Sequence, residues 1–102
     1  VPGMSDVKTD VLTEAQRIVT GARRAAYGSP EDNFRRISDL WNTHMVNTGR
    51  AAVFQPRDVA TLMILMKLAR LAESPDHRDS IVDIMGYAAC YAEMVLPAQA
   101  SG

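Results

Sequence analysis

From Val7 to Ala26 the apolar residues Val7, Val11, Leu12, Ala15, Ile18, Val19, Ala22 and Ala26 recur at intervals of three and four, the spacing of one face of an amphipathic helix. Gly28 is expected to end it. Ser29-Pro30-Glu31-Asp32 then supplies a capping hydroxyl, a proline suited to the first helical position and two acids at the positive end of the helix dipole. A second helix follows, expected to bury Phe34, Ile37, Leu40, Trp41 and Met45 before Asn47-Thr48-Gly49 stops it. The apolar patch Ala51-Ala52-Val53-Phe54 in the next loop must dock against something. Pro56 and Asp58 open a third helix, and between Val59 and Leu71 only Thr61, Lys67 and Arg70 are not apolar. A helix hydrophobic nearly all round is central to its fold. In so short a chain few elements can surround it, which predicts completion by a dimer or tetramer. A fourth helix runs from about Arg78 to Leu96, apolar except for a stripe at Asp79, Asp83, Gly86 or Tyr87, and Cys90. Period-two alternation is absent, so the pattern predicts an all-α chain of four helices. The third and fourth form an inner antiparallel hairpin, covered by the first two.

That hairpin carries its charges at mirrored positions. Folding about Ser74 and Pro75 brings Lys67 level with Asp83, and Arg70 level with Asp79 and Ser80. Charges are seldom buried unless paired, so the constellation is either an internal ion-pair lattice or a functional site.

Composition narrows the options. The chain has 102 residues and a net charge of −1, enough for one domain and without the cationic field that nucleic acid or a membrane surface would require. Nine arginines against two lysines favour the planar cation that binds carboxylates and phosphates. The single Cys90 excludes an intramolecular disulfide and makes a reducing, cytoplasmic setting the default. The longest apolar run, within Val59–Met66, is too short to span a bilayer. Val1–Gly3 before Met4 read as a vector remnant and start, residues 5–97 as one helical domain, and 98–102 as a disordered tail.

Asp79 and Asp83 are four residues apart, so on a helix they share a face with Cβ atoms about 6 Å apart. Two such carboxylates can hold Mg²⁺, with waters and substrate phosphates completing the shell. The alternative is that they pair with Lys67 and Arg70. A second cluster surrounds the first interhelical turn, where Tyr27 and Asn33 flank the cap and Arg23, Arg24, Arg35 and Arg36 lie nearby. Such a helix start can receive a phosphate, or the arginines can be a solvated face. His77 beside Asp76 and Asp79 has no second histidine at ligand spacing, and His44 falls on a polar side.

The succession YGSPEDNFRRISDLW, DVATLMILMKLARL and HRDSIVDIMGYAA resembles a family of small tailed-phage and prophage proteins over about Leu12 to Met94. Its last two helices are also similar to nucleotide-modification-associated domains and to MazG-like all-α nucleotide pyrophosphohydrolases. In the latter an EExxE helix and an ExxD helix hold Mg²⁺ against a nucleoside triphosphate. Asp83 matches the final Asp, Ser80 stands in place of the preceding Glu, and Arg35 falls where the last Glu of EExxE would be. The resemblance implies a phage-encoded protein of the host bacterial cytoplasm that binds or hydrolyses nucleotides. Asp83 and Asp79 would be the catalytic and metal residues, and Lys67, Arg70, Tyr87, Asn33 and Tyr27 the substrate contacts. The competing expectation is a non-enzymatic oligomer that sequesters a signalling nucleotide or binds a host or phage protein through the Val53-Phe54 region.

Overall fold

The computed structural model describes residues 6–21 and 29–98. They form four helices and no strand: α1 (Val7–Thr20), α2 (Pro30–Asn47), α3 (Pro56–Glu73) and α4 (Arg78–Val95).

Each boundary has a local cause. The Asp6 carboxylate accepts from the Lys8 N–H to start α1, and the Ser29 hydroxyl accepts from the Asp32 N–H at 3.2 Å to start α2, with Pro30 in the first turn. The Asp58 carboxylate reaches back to the Gln55 N–H at 2.8 Å, satisfying a donor ahead of α3. At the end of α2 the Gly49 N–H binds the Val46 carbonyl and the Arg50 N–H binds the Met45 carbonyl. That pair of bonds is a Schellman motif, and it needs the positive φ of 79° that Gly49 adopts.

Two expectations need correcting. α1 does not continue to Ala26; it closes at Gly21, which leaves helical geometry while its N–H still binds the Arg17 carbonyl at 2.9 Å. A Cβ on Gly21 would lie 2.5 Å from that carbonyl oxygen, so the closing geometry suits glycine alone. Ala22, Ala26, Tyr27 and Gly28 lie outside the described residues. Leu40, expected in the core, is 66% exposed, because the face of α2 that packs is set by Phe34, Ser38 and Trp41.

The expected inner hairpin is present. α3 and α4 pack along each other, α2 lies mainly on α3, and α1 lies on α4. Phe34, Val59 and Ala60 are the buried centre, with Ile37, Trp41, Met63, Tyr87, Cys90, Tyr91 and Met94 packed against it. The Phe34 and Tyr87 rings meet at 6.1 Å between centroids. At the other contact Ala15 and Val82 are buried, and Gly86 lets α1 approach until a Cβ there would touch Val19 Cγ1 at 3.4 Å. The buried hydroxyl of Ser38 donates to the Arg35 carbonyl, so its burial carries no unmet hydrogen bond.

The loop before α3 is fastened by one side chain. Asn42 donates through Nδ2 to the Phe54 carbonyl and accepts through Oδ1 from the Phe54 N–H, both at 2.9 Å. The Phe54 ring then meets Trp41 edge-on at 5.4 Å. The apolar patch therefore docks through Phe54, while Ala51, Ala52 and Val53 remain exposed.

Candidate functional site

The hairpin register places Lys67 opposite Asp83, as the mirrored charges predict, with Nζ 3.0 Å from Oδ2. Both side chains are largely buried, at 18% and 28% exposure, so the ion pair is shielded from much of the screening that weakens surface pairs. The second half of the mirror does not form. Arg70 and Asp79 are both exposed and are not paired with each other, because each lies beyond the packed seam of its helix. Ser80, also expected level with Arg70, instead turns to His77.

The sequence pattern does not predict that contact. His77 is the N-cap of α4, and its Nδ1 accepts from the Ser80 N–H at 3.2 Å and lies 2.7 Å from Ser80 Oγ. The arrangement requires Nδ1 to be the unprotonated nitrogen, leaving the ring hydrogen on Nε2. A serine hydroxyl beside a histidine has the outline of a nucleophile and base, but Ser80 is fully buried. No substrate atom can reach it, so the pair is a cap. A histidine cap carries a weaker sequence signal than Ser, Thr, Asp or Asn, so the residue order alone does not reveal it.

The remaining candidates are dispersed. Tyr87 packs against Phe34 in the core, while Asn33 sits half-buried in the first turns of α2 and gives its N–H to the Ser29 carbonyl. Tyr27 lies outside the described residues. Arg35 pairs with Glu31 on the exposed face of α2 at 3.0 Å, and Arg78 of α4 pairs with Glu14 of α1 at 2.9 Å, tying the outer helix to the hairpin. A surface concavity lined by Asn42, Thr43, Val46, Asn47 and Ala52 lies beside the Phe54 loop, on residues distinct from the charged hairpin.

The Mg²⁺ that the enzyme resemblance implies does not fit these side chains as arranged. The position a cation would take beside Asp83 is filled by the Lys67 ammonium. Asp79 stands on the exposed first turn, and no group of three or more His, Cys, Asp and Glu side chains gathers among the described residues. No helix among them is long and apolar enough to cross a membrane.

Comparison with known proteins follows the phage branch of the expected resemblance. Over 87 residues, 85% of its length, the chain is 42% identical to the Gene 55 protein of Mycobacterium phage L5, of which the match covers 53%. It is likewise 42% identical to the Gene 55 protein of Mycobacterium phage D29 over 80 residues, covering 78% of the chain and 50% of that protein. The chain thus spans about half the length of these curated relatives. No solved structure matches it. Residues 10–95 match the family model of DUF6378, described as a domain of unknown function, and the chain belongs to that phage-derived family.

Proposed function

We propose that this chain is a non-catalytic helical interaction module of a phage protein, acting in the host cytoplasm, and not a metal-dependent nucleotide pyrophosphohydrolase. The observation that carries this reading is the closed state of the charged hairpin. Asp83, which best matches the enzyme pattern, is engaged by Lys67, the residue that would otherwise orient phosphates. Separating them to admit a nucleotide and a metal would strand two largely buried charges. Exposed apolar side chains point the same way: Leu62, Leu65, Met66 and Leu68 stand together on α3, and contiguous exposed apolar surface of this kind marks interaction sites.

The test is a panel of nucleoside triphosphates and signalling nucleotides with Mg²⁺ or Mn²⁺, followed by pyrophosphate release and by calorimetry. Neither turnover nor saturable binding is expected. Release of pyrophosphate that Asp83→Asn abolishes would restore the enzyme reading, and saturable binding without turnover would make the chain a nucleotide sponge.

A further inference from the structure

The buried centre of the chain is built by α2, α3 and α4. Phe34, Val59 and Ala60, and the partly buried side chains packed on them, all come from those three helices, and of the three α1 packs on α4 only. Ala15 is the one buried residue of α1. Its seat on α4 is the stripe Arg78, Val82 and Gly86, spaced by four and so on one face. At one end Arg78 grips Glu14 Oε2 through Nε at 3.0 Å and Nη2 at 2.9 Å. Val82 is buried in the middle, and at the other end a Cβ on Gly86 would stand 3.4 Å from Val19 Cγ1. Glu14 at Arg78 and Val19 at Gly86 make the two helices run parallel. Gly21, where α1 closes, therefore lies at the Gly86 end of the seat, and the ion pair lies farther from it.

We infer that α1 is a strap that swings off α4 about Gly21 while α2, α3 and α4 stay folded, uncovering the stripe of Arg78, Val82 and Gly86. Hinges are element-terminal residues that absorb a backbone change, and Gly21 stands at that position with no side chain to hinder it. The Glu14–Arg78 pair is the latch. The energetics divide at the same boundary. Lifting α1 leaves the Phe34, Val59 and Ala60 cluster and the Lys67–Asp83 pair intact. It gives up the burial of Ala15, the contact at Gly86 and an ion pair that is 52% and 38% exposed, the kind that contributes little. Segments with few buried apolar contacts open well below the energy of global unfolding. A helix of 14 residues is marginal by itself in water, so α1 melts as it leaves and its amides exchange together.

The strap stands whether or not the chain binds nucleotides, so its test is separate. Hydrogen exchange on the whole chain should show the bonded amides of α1 opening at least about a hundredfold more often than those of α3 around Val59 and Ala60. Glu14→Gln should raise the α1 opening by up to about fivefold and leave α3 unchanged, and Glu14→Arg joined to Arg78→Glu should reverse the effect. Uncovering of the seat is read by thiol labelling in a Cys90→Ala background. Val82→Cys should react at the rate of α1 exchange, and Val59→Cys far more slowly. A disulfide between Val19→Cys and Gly86→Cys should slow α1 exchange to the level of α3 until it is reduced. Protection of α1 equal to that of α3, fraying graded inward from Val7 with no common opening, or fast exchange that survives the disulfide would overturn the proposal. So would Glu14→Gln loosening all four helices alike.

Discussion

Lys67 on α3 and Asp83 on α4 hold the hairpin together from within, Nζ to Oδ2 at 3.0 Å, on the faces where α3 and α4, the most extensively packed pair among the described helices, meet. An exposed pair of this kind contributes under about 1 kcal/mol, and removing one partner of a fully buried pair costs about 3–5 kcal/mol. At 18% and 28% exposure this pair falls between those limits. Lys67→Met should therefore destabilise by about 2 kcal/mol, lowering Tm by about 10 °C. The double variant Lys67→Met with Asp83→Leu should recover most of that loss, because no charge is then left alone. A thermal melt of the single and double variants checks both outcomes.

Asn42→Ala removes both hydrogen bonds to the Phe54 backbone and should cost about 1–2 kcal/mol. Its local effect should be larger than its global one. The Phe54 amide should exchange faster, and the emission of Trp41, the chain's single tryptophan, should shift to longer wavelength as the Phe54 ring leaves it.

His77→Ala leaves the Ser80 N–H without its side-chain acceptor at the start of α4 and should destabilise by about 1 kcal/mol. His77→Asp supplies an alternative acceptor beside the helix dipole and should restore the loss. Denaturant melts of the three proteins distinguish a capping role from any other: a destabilisation that aspartate fails to rescue would remove the cap account.

Gly86 tests how α1 is held. A methyl group there meets Val19 Cγ1 at an ordinary contact distance, and alanine improves helix propensity by up to about 1 kcal/mol. Gly86→Ala should be neutral to stabilising. Gly86→Leu overfills the same contact and should cost about 1–3 kcal/mol, with faster amide exchange confined first to α1. Uniform loss of protection in all four helices would contradict that division.

Much of this architecture is written locally. Ser29 with Pro30, Gly49, and Pro56 with Asp58 each act within one turn of the chain, so helix starts and stops are readable from their order. The mirrored positions of Lys67 and Asp83 likewise follow from a short turn between two helices. The spacing places the end of α1 too late because it continues through Gly21, and periodicity alone gives no weight to a glycine that can close a helix. Leu40 fits the spacing yet is exposed because a repeat of three and four marks a broad face, and only the neighbouring helix selects which edge of it is covered.

The sequence by itself determined the four helices, the starts of α2 and α3, the stop of α2, the antiparallel hairpin and the placement of its charges, since these depend on residues close together along the chain. Only the tertiary structure decided that Lys67 takes Asp83 while Arg70 and Asp79 remain in solvent, that Asn42 fastens Phe54, and that Leu62, Leu65 and Leu68 face outward. Those outcomes depend on the rotation of each helix about its own axis. On a helix apolar nearly all round, as α3 is, the pattern leaves that rotation open, and packing against α2 and α4 fixes it.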